Sequence, residues 1–189
     1  MKDMERKIIE TAISLFREKG YENTTVAEIC KRSGITKGTF YYHFANKDDI
    51  TFAYYESLFT DFPAVMPELL LIDNAKEQLW RVMEYSIDNT ISLSPAILRA
   101  FMLSDIQRGL NFFSPYRSMN SSELRKQQHE LQVTLVRKGQ EKGEIREGDP
   151  EELLLTFVAA LIGIAIDWAS NGGEFDEKAE LRKVFNVVF

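Results

Sequence analysis

The sequence contains few of the residues on which disulfides and metal sites depend. Its 189 residues include one cysteine and two histidines. A single cysteine cannot form an intramolecular disulfide, and two histidines among scattered carboxylates do not have the spacing of a metal site. We therefore expect no disulfide, no metal and no cofactor.

Long apolar runs are also missing. Residues 1–7 are polar and contain no apolar core of a signal peptide. The longest apolar run, residues 153–166, is interrupted by Thr156 and is too short to span a bilayer. It predicts a buried helix. We expect a cytoplasmic protein that makes no contact with a membrane.

Proline is scarce, and the alternation typical of β-strands is not sustained anywhere. Four of the five prolines stand at apparent breaks and Pro150 stands at a helix start. The fold class expected is all-α, with an N-terminal three-helix domain over residues 1–46 and a helical domain over residues 47–189. The predicted helices cover 3–19, two short segments beginning near 25 and 36, then 47–70, 74–92, 95–109, 120–142, 150–170 and 175–187.

Positive charge is in deficit overall, but not evenly. The net charge is -6, which by itself argues against a nucleic-acid-binding protein. Residues 1–50, however, hold nine Lys/Arg and eight Asp/Glu, whereas the rest of the chain holds fourteen and twenty-one. The acidity is therefore confined to the larger, C-terminal part.

Residues 24–47 predict two short helices joined by a tight turn. Thr25 and Glu28 have the spacing of a capping box, and Gly34 can end the first helix in the left-handed region. Cys30 supplies a small residue where the two helices cross. This pattern predicts a helix-turn-helix.

The second of these helices carries groups suited to DNA. Tyr41, Tyr42 and His43 are consecutive, so they cannot all be buried, and an exposed aromatic can reach phosphate or a thymine methyl group. Gly38 costs about 1 kcal/mol relative to alanine inside a helix, which a close approach to DNA would justify. A small helical bundle with half-buried tyrosines remains the alternative.

Residues 3–50 resemble the DNA-binding domain of TetR-family transcriptional regulators. The matching segments are Ile8–Ala12 with Leu15 and Phe16, Gly20-Tyr21, Thr24–Ile29, Gly34–Phe44, and Lys47. The resemblance implies a ligand-responsive regulator, most often a repressor, that binds double-stranded operator DNA as a homodimer and is not an enzyme. It also implies these DNA contacts: Thr25, Thr36, Lys37, Gly38, Thr39, Tyr41, Tyr42, His43 and Lys47.

Cys30 departs from the alanine that this family commonly has at the helix crossing. Cysteine is small and apolar enough to replace it. A redox switch is an alternative, but a crossing position favours a buried, unreactive thiol.

The C-terminal domain is rich in aromatic residues and methionine, which suits an apolar or aromatic effector. The candidate ligand-binding residues are Phe59, Phe62, Met66, Trp80, Met83, Phe101, Met102, Phe112, Phe113, Tyr116 and Trp168. Taken singly, each of these residues is more readily explained as ordinary core than as the wall of a pocket. Residues 110–116 are the expected lid or entrance, because three of these aromatics fall in a predicted loop. Charged groups near these residues could orient a polar end of the effector, although solvated helix faces are the expectation for them: Arg81, Asp88, Arg99, Asp105, Arg108 and His129. His129 lies in a polar stretch, residues 125–129.

The helix over 150–170 is apolar almost all round, and residues 187–189 end the chain in apolar side chains. Both features predict an isologous interface between two copies, formed by helices near 150–170 and 175–189. A purely intramolecular core is the alternative. Two other functions stay open: an α-helical enzyme acting on a hydrophobic molecule, and a DNA-architectural protein that has no effector.

Overall fold

The computed structural model describes residues 3–58, 60, 62–109 and 123–189. Within these residues the regular structure is helical, as the sequence predicted. The α-helices are α1 (Asp3–Lys19), α2 (Val26–Ser33), α3 (Lys37–His43), α4 (Lys47–Ser57), α5 (Met66–Leu69), α6 (Ala75–Ile91), α7 (Pro95–Arg108), α8 (Glu123–Glu141), α9 (Pro150–Ser170) and α10 (Glu177–Val188).

Helices α1, α2 and α3 form an N-terminal unit that we call the reading head. The buried side of α1 follows the helical repeat from Ile8 through Ala12 to Phe16. Phe40 of α3 is completely buried against this side. The short helices are held by their caps and by this shared core, because helices of seven or eight residues are not stable alone.

Helix α4 leaves the reading head and is shorter than the sequence predicted. We expected one helix over 47–70, but α4 ends at Ser57, and a 3₁₀ helix (Phe62–Val65) and α5 follow. Pro63 and Pro67 stand at the starts of these two short segments. Proline supplies no backbone N–H and clashes with the preceding turn, so it can begin a helix but does not continue one.

The C-terminal helices pack in neighbouring pairs. Helix α6 packs along α8, α10 packs along α9, and α7 contacts both α4 and α9. Asp149 and Asp176 cap α9 and α10 by accepting backbone N–H bonds from the first turn. The bounds of these helices agree with the sequence predictions within about two residues at each described end.

Two apolar cores lie side by side. The first runs without a break from the reading head through α4 and α7 to the end of α9, where Trp168 and Ala169 are buried. The second is built from α6, α8, α10 and the first half of α9, around Phe157 and Phe185. The reading head therefore shares its core with part of the C-terminal domain.

Helix α9 leaves much of its apolar surface uncovered. Ala159, Gly163 and Ile166 are exposed at a spacing that places them on one side. By length and composition α9 could also cross a membrane, but core helices of soluble proteins pass the same test. At the chain end Val188 and Phe189 are buried in the second core, while Val187 is exposed.

Candidate DNA-binding site and effector domain

The turn between α2 and α3 is built as the capping residues predict. The Thr25 hydroxyl accepts the Glu28 N–H, and the Glu28 carboxylate accepts the Thr25 N–H at 2.9 Å. Gly34 has φ 68°, so a left-handed glycine ends α2. Thr36 then caps α3 by accepting the Thr39 N–H at 3.1 Å. The turn is thus fixed by local hydrogen bonds.

Buried Cys30 lies where the two helices meet. Its side chain is 5% exposed, and its Sγ lies 3.8 Å from the Thr36 carbonyl oxygen. Burial raises the pKa of the Cys30 thiol, which disfavours the reactive thiolate. Its geometry suits a structural residue.

Helix α3 turns one side to the core and the other to solvent. Phe40 and Phe44 are buried, whereas Tyr41 is 55% and Tyr42 is 78% exposed. Tyr42 stands edge-on to the ring of His43, which is partly buried. The expectation that at least one of these three consecutive residues is exposed is confirmed.

Exposed Lys37 and Gly38 open α3 beside these tyrosines. A Cβ added at Gly38 would meet only the Thr36 hydroxyl, at 3.6 Å, an ordinary van der Waals distance. The protein itself therefore has room for a side chain at this position. Packing within the chain does not explain the glycine.

Three predicted contact residues also hold the fold. The hydroxyls of Thr25 and Thr36 are engaged in helix caps. The Lys47 ammonium donates to the backbone carbonyls of Tyr21 at 2.7 Å and Thr24 at 3.2 Å. It also lies over the Tyr21 ring, and its burial lowers the pKa of Lys47. This lysine ties the start of α4 to the loop that precedes α2.

Residues 8–54 match a family model described as bacterial regulatory proteins, tetR family. The matched residues include all of the turn, the exposed side of α3 and most of α4. This N-terminal part of the chain is of the TetR type. The resemblance seen in residues 3–50 is thereby confirmed.

Curated relatives match about a third of this chain. The chain is 45% identical over 64 residues to the uncharacterized HTH-type transcriptional regulator YuxN of Bacillus subtilis. It is 46% identical over 59 residues to IcaR of Staphylococcus epidermidis, a negative transcriptional regulator of the biofilm operon icaADBC. The matches cover 32% and 31% of this chain, but only 22% and 32% of those two proteins.

Solved structures of the TetR family share the whole fold. FadR of Thermus thermophilus, a repressor in complex with lauroyl-CoA, has a TM-score of 0.60 at 19% identity, over 97% of this chain and 92% of that chain. FadR of Bacillus subtilis in complex with stearoyl-CoA has a TM-score of 0.57 at 22% identity, over 97% and 96%. At such sequence identities the likeness establishes the fold alone. In this fold a larger helical domain follows the helix-turn-helix along the chain.

Most of the predicted ligand-binding residues that the structure describes are divided between the two cores. Phe101, Met102 and Trp168 lie in the first core, whereas Phe62, Trp80 and Met83 lie in the second. Met66 is 42% exposed on α5. The remaining candidates, together with the proposed lid over 110–116, lie outside the described residues: Phe59, Phe112, Phe113 and Tyr116.

A group of buried polar side chains lies between α4, α6, α7 and α8, close to the Phe101 ring. We call it the interhelical polar cluster. Its members are Tyr55, Thr90, Ser104, Asp105, Arg125 and Gln128, each less than a tenth exposed. The expectation of a solvated helix face is wrong for Asp105, which is buried. Arg125 and Gln128, from the polar stretch 125–129, are buried as well. A polar residue looks the same in the sequence whether it faces water or other polar groups, so helical spacing alone did not reveal the cluster.

Proposed function

We propose that this protein is a ligand-responsive DNA-binding transcriptional regulator that acts as a repressor in the cytoplasm. Residues 1–46 would bind operator DNA, and residues 47–189 would bind an effector and form the dimer. The repressor that shares this fold and the match to the negative regulator IcaR support this proposal. Effector binding would then shift the molecule towards a state with lower operator affinity.

The observation that carries the proposal is the exposed side of α3. Lys37, Gly38, Tyr41 and Tyr42 are solvent-exposed on a short helix whose other side is fixed in the core. A recognition helix enters the major groove with its N-terminal residues against the base edges. The donors and rings exposed here can contact phosphate, base edges and thymine methyl groups.

The remaining predicted contacts would position the reading head rather than read bases. Thr25, Thr36, Thr39 and Lys47 lie at helix starts, and backbone N–H groups at helix starts bind phosphate. We propose that they approach the DNA backbone beside α3. His43, which is partly buried at the end of α3, would approach it from the other end of the helix.

For the effector, we propose a small molecule with an apolar or aromatic body. The aromatic rings around Phe101 and Phe62 favour it. Two proteins that share the fold were solved with acyl-CoA thioesters, lauroyl-CoA and stearoyl-CoA. Acyl-CoA compounds are therefore reasonable first candidates in a screen.

The decisive experiment uses the full chain. Selection from a pool of random-sequence DNA duplexes should enrich one operator, and gel-shift titration should then measure its affinity for Tyr42→Ala and Lys37→Ala. Each substitution removes an exposed group, so we expect operator affinity to fall by at least about fivefold while the circular dichroism spectrum stays unchanged.

Lys126→Ala is the matched control, because it removes one exposed positive charge from α8, away from the reading head. We expect it to keep operator affinity. If the pool yields no enriched sequence, or if both α3 variants bind as tightly as the parent, the proposed function is wrong.

A further inference from the structure

An open groove lies along one side of α1, where α4 packs beside it. We call it the α1 groove, and its volume is about 440 Å³. Its lining consists of Glu10, Ile13, Ser14, Arg17, Glu18 and Tyr54. The five residues of α1 follow one another at helical spacing, so they share one side of that helix. A groove of this volume can hold a small organic molecule.

The two carboxylates of the lining are each paired with an arginine. Glu18 accepts hydrogen bonds from both Nη atoms of Arg32, and it also accepts the Ser14 hydroxyl at 2.9 Å. Glu10 accepts the Arg6 Nε–H at 2.8 Å. Each negative charge in the groove therefore has its own positive partner.

Arg17 has no such partner among the described residues. Its Nη2 lies 3.3 Å from the Tyr54 hydroxyl oxygen and 3.5 Å from the Ser92 carbonyl oxygen, which are long distances for hydrogen bonds. Both acceptors are neutral. Nε and Nη1 of Arg17 donate to no atom in the part of the chain that the structure describes. The groove therefore carries one uncompensated positive charge.

These groups favour a ligand with one negative charge and an apolar body. Hydrogen bonds between a guanidinium and a carboxylate are charge-assisted and stronger than neutral ones. The half-buried Tyr54 ring and the Ile13 side chain supply apolar surface beside Arg17. A phosphate monoester would bring nearly two negative charges close to Glu10 and Glu18. A carboxylate brings one, which matches the single free charge.

We infer that the α1 groove binds a small carboxylate with an apolar body, with Arg17 against the carboxylate and Tyr54 against the body. This site lies between the reading head and α4, apart from the candidate effector residues, and it goes beyond the proposed function. Arg17 also reaches Ser92, the residue that ends α6. A bound carboxylate would therefore contact the side chain that joins the reading head to the C-terminal domain.

Three probes that differ in charge test the site: 3-phenylpropionate, 3-phenylpropanol and 3-phenylpropylammonium. They share a phenyl ring and a three-carbon chain. Protein-observed NMR titration of the full chain at neutral pH should give saturable shifts at the amides of residues 13–18 and 54. We expect 3-phenylpropionate to bind at least about fivefold more tightly than the alcohol. The ammonium compound should bind more weakly than the alcohol, because it is repelled by Arg17.

Arg17→Gln removes the free charge but keeps a hydrogen-bond donor. Its affinity for 3-phenylpropionate should fall by about fivefold, to that of the alcohol. Arg17→Lys keeps the charge and should retain part of the preference for the carboxylate. Lys31→Gln is the matched control, because it removes one exposed positive charge from the reading head outside the groove lining. It should leave the affinity unchanged.

Arg32→Gln tests the charge balance with Arg17 intact. Glu18 loses its counter-charge in this variant, so the groove has no net positive charge. We expect 3-phenylpropionate to bind about two- to fivefold more weakly, while binding of the neutral alcohol stays the same. Circular dichroism checks that each variant is folded.

The assignment of the α1 groove is overturned if the alcohol binds as tightly as the carboxylate, or if Arg17→Gln binds the carboxylate like the parent. Saturable shifts confined to α6–α10, or no saturable shift with any probe, would overturn it as well. None of these measurements uses DNA, so their failure leaves the proposed function intact. Failure of operator selection, in turn, leaves the assignment of the groove intact.

Discussion

At the scale of single residues, some polar side chains of the reading head stabilise the fold and others face solvent. Thr25, Thr36 and Lys47 are engaged in caps and in backbone hydrogen bonds. Lys37 and Tyr42 face solvent at the start and middle of α3. Substitution of the exposed Lys37 or Tyr42 should therefore change DNA binding without changing stability. Substitution of the hydrogen-bonded residues should change both.

Gly38 gives the sharpest residue-scale prediction. Because an added Cβ has room and glycine is a poor helix former, Gly38→Ala should raise the free energy of unfolding by up to about 1 kcal/mol. The same methyl group should hold α3 away from DNA and weaken operator binding. Urea unfolding and gel-shift titration measure the two effects. A variant that is more stable and binds equally well would show that the glycine serves no DNA contact.

Glu177 makes stability depend on pH. It is 2% exposed at the start of α10, and burial raises its pKa to about 7. Below about pH 4.5 the carboxyl group is protonated in both folded and unfolded chains. As pH rises towards 7, the unfolded chain loses the proton first, so stability falls by up to about 3 kcal/mol.

Glu177→Gln should remove this dependence, because the amide is neutral throughout. Urea unfolding at pH 5 and pH 8 should show the parent losing stability relative to the variant. Glu180→Gln is the control from the same helix, with a more exposed side chain. Parallel pH profiles for the parent and Glu177→Gln would contradict the buried-carboxyl explanation.

At the scale of elements, α4 connects the C-terminal domain to the reading head through a short series of polar contacts. The Arg108 guanidinium at the end of α7 lies 2.7 Å from Asp49 Oδ1 and over the Phe52 ring. The other Asp49 oxygen accepts the Ala45 N–H at 3.0 Å, immediately after α3. A displacement of α7 would therefore be transmitted to the end of α3 through the Asp49 carboxylate.

We predict that Arg108→Ala removes the ion pair with Asp49 and weakens the hydrogen bond from the Ala45 N–H to Asp49 without unfolding the protein. Exposed ion pairs contribute about 1 kcal/mol or less, so the melting temperature should change little. Hydrogen exchange at the Ala45 amide should become faster by up to about fivefold. Arg99→Ala is the control, since Arg99 also lies on α7 but donates to the Ala169 carbonyl. Equal hydrogen-exchange rates at the Ala45 amide in the two variants would contradict the coupling of α7 to α3 through Asp49.

The sequence predicted elements better than the neighbours of individual side chains. Capping residues and prolines are local signals, so α2, α3 and α9 were placed correctly. The end of α4 was missed, because an apolar segment with two prolines also fits a kinked helix. The interhelical polar cluster depends on residues 55, 90, 104 and 125 meeting in space, which no local pattern records.

At the scale of the whole molecule, the uncovered side of α9 supports the proposed dimer. Ala159 and Gly163 are small and exposed, so a second helix can approach closely there. Val187 of α10 is 77% exposed and would join the same surface. Two reading heads joined in this way could contact half-sites about 34–36 Å apart.

Gly163→Leu should separate the copies. A Cβ at this position meets no atom of the described residues within 4 Å, so the fold of the single chain should accept the side chain. In the dimer it would prevent close approach of the helices. Sedimentation velocity should show a monomer, and operator affinity should fall because one half-site remains. Thr134→Leu, which places the same side chain on an exposed position of α8, should stay dimeric. A dimeric Gly163→Leu variant would place the interface elsewhere.

The core that runs from Ile8 and Phe40 to Leu98 and Phe101 has a consequence for genetics. A screen for mutants that fail to repress should recover substitutions at Leu98 and Phe101, which touch no DNA, because voids there loosen the reading head as well. Such alleles would map far from α3, yet a second substitution that only increases stability would suppress them. Alleles at Tyr42 would resist that suppression.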